Sequence, residues 1–124
     1  MERLSIKGTD STPEISFDPL KGVFIIEGRS FSENAADFFH PIVLWLEKYA
    51  EIPLEETHLS INMDLINTTS IKFLLSLFAI LEEMKRKGKS IKVTWWYHED
   101  DDETKEIGES LNSMTDLKFE YETS

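Results

Sequence analysis

A single stretch of the chain, residues 58–88, constrains the fold more than any other because two different periodicities meet in it. Its first part, HLSINMDLI, alternates apolar and polar residues, which is the period of a half-buried β-strand. Its second part, IKFLLSLFAILEEMKRKG, carries a wide apolar stripe at helical spacing and ends in basic residues followed by glycine, which are helix stop signals. The stretch therefore predicts a strand, a sharp turn and a helix.

Four short polar residues, Asn67, Thr68, Thr69 and Ser70, lie between that strand and that helix. One interpretation is capping, in which a side-chain oxygen accepts a hydrogen bond from an unpaired N–H group of the helix. The other is phosphorylation of a hydroxyl, because a helix N-terminus offers free N–H groups and the positive end of the helix dipole to a phosphate. Lys72, near the first turn, would partly neutralise that phosphate. The residues alone leave both interpretations open.

The composition places the chain among folded, acidic proteins. Its 124 residues suit one domain spanning 1–124, and 40% hydrophobic residues suffice for a core. The formal net charge of -11 disfavours nucleic acid and membrane surfaces as partners and favours proteins with basic patches. The absence of cysteine excludes disulfides and thiolate chemistry. No signal peptide or membrane-spanning run is legible, so we expect a soluble cytoplasmic protein.

The segments on either side of this stretch predict an α/β fold. In chain order, the predicted segments are strands 15–17 and 23–27, a helix after residue 30, strand 90–98, a helix that opens at 99–103 and a strand at 117–121. Ser30 or Ser32 can cap the first helix, and Ser30 with Glu33 fits a capping box at its start. The order β-β-α-β-α-β-α-β predicts right-handed crossovers and helices that cover a mixed sheet. The same order is shared with the STAS-like fold of anti-sigma-factor antagonists.

No catalytic or metal site is legible in the sequence. The acidic run 99–103 lacks the spacing of an EF-hand, and acidic residues are favoured at a helix N-terminus. We interpret this run as a solvated helix start, with partner docking and metal binding as alternatives. The three histidines, His40, His58 and His98, are far apart and show no ligand spacing. Without a nucleophile–base constellation or a glycine-rich phosphate loop, we predict no enzymatic activity, no cofactor and no metal site.

The aromatic strand supports a second hypothesis. Trp95 and Trp96 are adjacent, so they point to opposite faces of the sheet, one into the core and the other under a helix or onto a contact surface. A pocket near residues 95–97 would make the chain a STAS-like sensor that binds a small ligand or a lipid. The polar strip of the central helix is narrow and consists of Lys72, Ser76, Ala79 and Glu83. This helix is therefore either deeply buried, which we favour, or exposed along its N-terminal half to bind a partner.

Several short segments form an ordered set along nearly the whole chain. They are residues 12–15, 17–18, 28–31, 33–35, 67–70, 95–97, 101–103 and 108–109. In their order and spacing these segments resemble the SiaC family of bacterial regulatory phosphoproteins. Phe31 replaces the tyrosine that is common after the Gly-Arg-Ser segment, and Trp96 stands where a tyrosine is frequent, so both positions keep their aromatic character.

The resemblance implies a STAS-like fold, no catalysis by this chain, and a partner switch. It places phosphorylation by a dedicated kinase on Thr68, with Thr69 and Ser70 as less favoured acceptors, and removal of the phosphate by a PP2C-type phosphatase. In the best-known systems of the family, the unmodified protein binds and activates a diguanylate cyclase, which raises cyclic di-GMP and favours aggregation or biofilm formation. The partner-binding residues expected on this basis are Asn67, Thr68, Thr69, Ser70, Lys72 and Ser76.

Overall fold

The computed structural model describes all 124 residues as one α/β unit with six strands and three helices. The elements are β1 Leu4–Ile6, β2 Glu14–Asp18, β3 Val23–Ser30, α1 Ala35–Tyr49, β4 Glu56–Ile66, α2 Thr68–Arg86, β5 Ser90–Tyr97, α3 Asp102–Ser113 and β6 Phe119–Thr123. The predicted order of strands and helices is confirmed from β2 onward. The short strand β1 was not predicted, because three residues are too few to display a period.

The six strands form one mixed sheet in the order β1-β2-β3-β4-β5-β6. The strands β1, β2 and β3 pair antiparallel, whereas β3 to β6 pair parallel. Successive right-handed crossovers between neighbouring parallel strands place every helix on the same side of the sheet. The prediction that helices cover the sheet therefore holds for one face, and the other face is open.

The core lies between the sheet and the three helices and forms one cluster of 22 buried apolar residues. The central strand β4 shows the alternation clearly, because Leu59, Ile61 and Met63 are buried while the residues between them are more exposed. Trp95 on β5 is completely buried and packs against α3 at Gly108, where an added Cβ would lie 2.5 Å from the indole ring. The core thus holds α3 close to the sheet.

The end of β3 is irregular, and this irregularity brings the strand to the start of α2. Gly28 has φ +122, a conformation that favours glycine, and the register with β4 shifts between Gly28 and Arg29. After the shift, Ser30 is buried and ends β3. The predicted capping box with Ser30 is therefore wrong. Helix α1 starts later, at Ala35, with Asn34 at its N-cap position and no side-chain cap.

None of the helices combines the length and apolar character that a membrane span requires.

Candidate functional site

The turn between β4 and α2 is organised by Asn67. Its Oδ1 accepts a hydrogen bond from the N–H of Ser70 at 2.9 Å, and its backbone carbonyl accepts one from the N–H of Ile71 at 3.1 Å. Asn67 is thus the N-cap of α2, with an extended backbone. Of the interpretations that the sequence left open, capping is carried out by the asparagine and not by the hydroxyls that follow it.

The same asparagine ties the turn to the segment that follows β3. Its Nδ2 donates to the carbonyl of Ser32 at 3.1 Å, and its backbone N–H donates to the carbonyl of Ser30 at 2.9 Å. The start of α2 is therefore held against a second chain segment as well as within its own helix. The turn is a fixed platform whose position does not depend on Thr68 or Thr69.

Ser70 takes part in this platform and is fully buried. Its hydroxyl lies 2.6 Å from the hydroxyl of Ser30 and donates to the Ser30 carbonyl at 3.0 Å. Because the single hydroxyl proton of Ser70 points to that carbonyl, Ser30 supplies the proton between the two hydroxyls. The structure places Ser70 away from the surface, so its side chain cannot reach a kinase or a partner unless the turn opens.

Thr68 and Thr69 are exposed, and neither hydroxyl is hydrogen-bonded within the chain. They are the first two residues of α2, so their own N–H groups have no intrahelical acceptor. The first turn contains no acidic side chain, and Lys72 is exposed just beyond it. This end of the helix therefore presents free hydroxyls in a locally positive environment, which suits an added phosphate.

The predicted polar strip of α2 lies on the surface, as its residue types suggested. Lys72, Ser76, Ala79 and Glu83 are all exposed, and the Ser76 hydroxyl donates to the Lys72 carbonyl at 3.3 Å. The opposite side of the helix contributes its buried residues to the core. They are Ser70, Leu74, Leu77, Phe78, Leu81 and Met84. The helix is therefore buried along one face only, and its first two residues are exposed, so the prediction of a deeply buried helix holds for that face and not for the whole helix.

A groove of about 360 Å³ lies between α2 and α3 and continues the exposed surface of the turn. Its lining is apolar at the floor and acidic at the rim, and consists of Ile71, Glu103, Glu106, Ile107, Ser110, Leu111 and Met114. Sequence reasoning missed this groove. The exposed Met114, seven residues after Ile107 and directly after the last residue of α3, is the signal that could have indicated it.

Two further apolar side chains on the same end of the sheet are exposed and were not predicted. Phe31 follows directly after β3, and Leu65 is the penultimate residue of β4. The neighbouring residues Ser30 and Ile66 are paired across the two strands. These apolar groups flank the platform that carries Thr68.

The acidic run at the start of α3 is a helix start, as predicted. Asp101 is the N-cap and accepts hydrogen bonds from the N–H of Thr104 at 3.0 Å and from its hydroxyl at 2.7 Å. These bonds from Thr104 hold the pKa of Asp101 below its usual range. Asp102 and Glu103 occupy the first turn, where the helix dipole favours them.

The three histidines remain apart in the fold. His58 lies on the open face of the sheet, where it is bonded to the Thr94 hydroxyl at 2.8 Å. Partial burial and the neighbouring Lys92 lower the pKa of His58. His40 is exposed on α1, and His98 is exposed in the loop directly after β5. No group of three histidine or carboxylate side chains is arranged to hold a metal ion.

The two adjacent tryptophans of β5 lie on opposite faces of the sheet, as predicted. Trp95 is fully buried, and its Nε1 donates to the Thr104 carbonyl at 3.0 Å. Trp96 lies on the open face of the sheet, and its Nε1 donates to the Ser60 hydroxyl at 2.9 Å. The four main surface grooves are lined by other residues.

The sequence pattern of the SiaC family of regulatory phosphoproteins matches residues 6–124. The chain belongs to the SiaC family. An uncharacterized protein of Pseudomonas aeruginosa strain UCBPP-PA14 is 28% identical over 119 residues, which cover 96% of this chain and 94% of that protein. The family predicted from the ordered motifs is therefore confirmed.

Two solved structures of SiaC from Pseudomonas aeruginosa agree with the fold. The crystal structure of apo-SiaC superposes with a TM-score of 0.91 at 27% identity, covering 98% of this chain and 99% of that one. SiaC in complex with the diguanylate cyclase SiaD, of which it is the activator, superposes with a TM-score of 0.91 at 26% identity and the same coverage. As a member of this family of regulatory phosphoproteins, the chain is a regulatory protein.

Proposed function

We propose that this chain is a partner-switching regulator controlled by reversible phosphorylation of Thr68, and that its unmodified form binds and activates an output enzyme of the diguanylate cyclase class. Through that enzyme it would control cyclic di-GMP and hence aggregation or biofilm formation. The observation that carries the proposal is that the four polar residues of the turn have different structural roles. Asn67 caps the helix and Ser70 is buried, which leaves Thr68 and Thr69 as the exposed hydroxyls. Thr68 is preferred because it occupies the position that the family resemblance assigns to the acceptor.

A phosphate at Thr68 would change the surface without disturbing the fold. It would add roughly 1.5 to 2 negative charges at neutral pH. The hydrogen bonds that hold the turn involve Asn67, Ser70, Ser30 and Ser32, and none of them uses the Thr68 hydroxyl. The effect would therefore be local, and a partner that contacts the unmodified turn would meet a new charge and a hydrated group in its place.

The partner surface would extend from the turn in two directions. Along α2 it would include the exposed Lys72 and Ser76, and between α2 and α3 it would include the groove with Ile107 and Met114. The acidic rim of that groove and the net charge of -11 favour an output enzyme that presents basic and apolar residues. Support for a diguanylate cyclase comes from the similarity to SiaC, which is the activator of SiaD.

The same exposed turn would be the substrate of two further partners. A cognate protein kinase would phosphorylate Thr68, and a PP2C-type phosphatase would remove the phosphate. Both enzymes need a side chain that is accessible at the surface, and Thr68, the first residue of α2, is exposed.

The direct test is phosphorylation of the purified chain by its cognate kinase, with the modified residue mapped by mass spectrometry. Thr68→Val should abolish incorporation, whereas Thr69→Val should be modified like the wild type. Both variants replace an exposed hydroxyl by a methyl group, so each is the matched control for the other. Continued modification of Thr68→Val, together with loss in Thr69→Val, would move the acceptor by one residue and contradict the assignment.

A further inference from the structure

Gly108 is the only glycine that lies within a helix of this chain, and it belongs to the face of α3 that meets the sheet. It is buried, as are Thr104 four residues before it and Leu111 three residues after it. A glycine inside a helix makes that helix less stable than an alanine would, because its backbone loses more conformational freedom on folding. A buried glycine at this position therefore indicates a close contact that a side chain would prevent.

The close contact is made with the indole ring of Trp95 on β5. A Cβ at residue 108 would lie 2.5 Å from Cδ1 and Nε1 of the ring and 2.7 Å from Cε2. Carbon atoms in contact are about 3.5 Å apart or more, so an alanine would require a shift of about 1 Å. The Nε1 of the same ring donates to the Thr104 carbonyl at 3.0 Å. One ring thus holds α3 and also sets how closely α3 approaches β5.

The ring of Trp95 is packed on its other sides as well. It is completely buried and stacks on Phe119 of β6, with ring centroids 6.3 Å apart and an angle of 10° between the planes. Phe119 in turn packs on the buried Phe78 of α2, with ring centroids 5.1 Å apart. Since a close-packed interior has no space into which the ring could move, a side chain at residue 108 would displace α3 and not the ring.

The part of α3 that contains Gly108 also forms one wall of the groove of about 360 Å³ between α2 and α3. Ile107 directly precedes Gly108, Leu111 follows about one turn later, and both line the groove together with Ile71 of α2. A shift of α3 at Gly108 would carry these apolar side chains with it. The width of the groove therefore depends on the contact between Gly108 and Trp95.

The segment that follows α3 is held to α2 independently of that contact. The N–H of Asp116 donates to Oε2 of Glu82 at 2.9 Å, and Nζ of Lys85 donates to the Asp116 carbonyl at 2.9 Å. These bonds fix the carboxyl-terminal end of α3 relative to α2. The contact at Gly108 fixes the distance farther along the helix, toward its amino-terminal end.

We propose that Gly108 is a positioning residue for the output enzyme, because its contact with Trp95 sets the width of the groove into which that enzyme inserts apolar side chains. This inference rests on the proposed function, in which the groove belongs to the partner surface. Gly108 is itself buried, so it acts on the partner through Ile107 and Leu111.

A crystal structure of the Gly108→Ala variant tests the geometry without a partner. We expect α3 to lie about 1 Å farther from the indole ring, with a wider groove beside Ile107. The matched control is Ser113→Ala, which places an alanine at an exposed position of α3 outside the groove and should not shift the helix. A Gly108→Ala structure in which the ring turns aside and α3 stays in place would overturn the proposal.

Isothermal titration calorimetry with the diguanylate cyclase proposed as output enzyme tests the effect on binding. Gly108→Ala should bind at least about tenfold more weakly than the wild type, because the displaced wall disrupts the close packing of an interface core. Ser113→Ala should bind like the wild type. Circular dichroism confirms that each variant is folded, and a loss of stability alone leaves the dissociation constant of a folded variant unchanged.

The possible failures of this experiment can be told apart. A folded Gly108→Ala variant that binds like the wild type would overturn the positioning role. A wild type that does not bind the cyclase would instead contradict the proposed function, and the crystal structure would still decide whether Gly108 sets the groove. If Gly108→Ala does not fold, Trp95→Phe replaces it, because this variant keeps an aromatic ring and removes the N–H that holds the Thr104 carbonyl. It should weaken binding by about threefold or more, and unchanged affinity would overturn the proposal.

Discussion

The helices α2 and α3 begin in almost the same way, yet their first turns differ in charge. Asn67 caps α2 by accepting from the N–H of Ser70 at 2.9 Å, and Asp101 caps α3 by accepting from the N–H of Thr104 at 3.0 Å. In both helices the third residue is buried. However, the α3 cap is a carboxylate followed by two acidic residues, whereas the α2 cap is a neutral amide and its first turn carries no acid.

This difference indicates which of the two helix N-termini lacks negative charge near the positive end of its dipole. At α3 the positive end of the helix dipole is already matched by Asp101, Asp102 and Glu103. At α2 the corresponding end is matched by no negative charge, and exposed hydroxyls occupy the two positions after the cap. A phosphate would give α2 the negative charge that α3 has in its own sequence. If the proposed function is correct, α3 carries its stabilising charge in its own sequence, and α2 receives a corresponding charge only on phosphorylation.

The largest stability effect is expected at Ser70. Ser70→Ala should lower the free energy of unfolding by about 1 to 3 kcal/mol, because the Ser30 hydroxyl would stay buried without a partner. Urea denaturation measures the loss. The double variant Ser30→Ala/Ser70→Ala is the control, since removing both hydroxyls leaves no orphan and should recover part of the stability. A double variant with the summed loss of both single variants would show that the hydroxyl pair is not coupled.

The two caps should contribute similarly at neutral pH and differently in acid. Asn67→Ala and Asp101→Ala should each cost about 1 kcal/mol near neutrality. The bonds from Thr104 lower the pKa of Asp101 in the folded state, so the stabilisation by its carboxylate is present above the unfolded pKa of about 3.9 and is lost as pH falls through the folded pKa.

Thermal denaturation of both variants, each compared with the wild type, near neutrality and at about pH 3 tests this contrast. The deficit of Asp101→Ala should shrink in acid, whereas that of Asn67→Ala should persist. Equal pH dependence of the two deficits would remove the electrostatic distinction between the helix starts.

The smallest effect comes from exchanging the first residues of the two helices. Thr68→Asp should raise the free energy of unfolding by about 0.3 to 1 kcal/mol through the helix dipole, and Asp102→Thr should lower it by a similar amount. Both positions are exposed, so packing changes little. Chemical denaturation at low ionic strength is the appropriate measurement, because salt screens this effect. A destabilised Thr68→Asp would mean that the α2 start has no room for a negative charge.

Much of the fold could be predicted from the sequence because its signals are local. The alternation of buried and more exposed residues in β4 and the buried apolar stripe of α2 are both present in the structure. Each pattern depends only on how a single element packs against the core. The start of α3 could be predicted in the same way, because the helix dipole favours acidic residues at a helix N-terminus, although the sequence did not single out Asp101 as the cap. The strand β1 has three residues, which are too few to show an alternation of apolar and polar side chains. It forms because its backbone pairs with the edge strand β2, a contact between segments that are separated in the sequence.

What could not be predicted depends on contacts between distant segments. The sequence predicts that Ser30 caps a helix, but its hydroxyl is hydrogen-bonded to the hydroxyl of Ser70, 40 residues away. The choice among Asn67, Thr68, Thr69 and Ser70 as cap, buried anchor or exposed acceptor was likewise open until the neighbouring segment was placed. The groove beside Ile71 depends on the relative position of two helices; the spacing of Ile107 and Met114 indicates an apolar strip on one of them but not the helix that faces it.

The central claim of the proposed function is most directly tested by the affinity of the diguanylate cyclase proposed as output enzyme for the unmodified chain and for the chain phosphorylated at Thr68, measured by isothermal titration calorimetry. We expect tight binding of the unmodified form and a loss of at least about tenfold on phosphorylation, because a new charge and its hydration shell would lie in the contact. Thr69→Val, unmodified, should bind like the wild type. Equal affinity of the phosphorylated and unmodified chains would contradict the account.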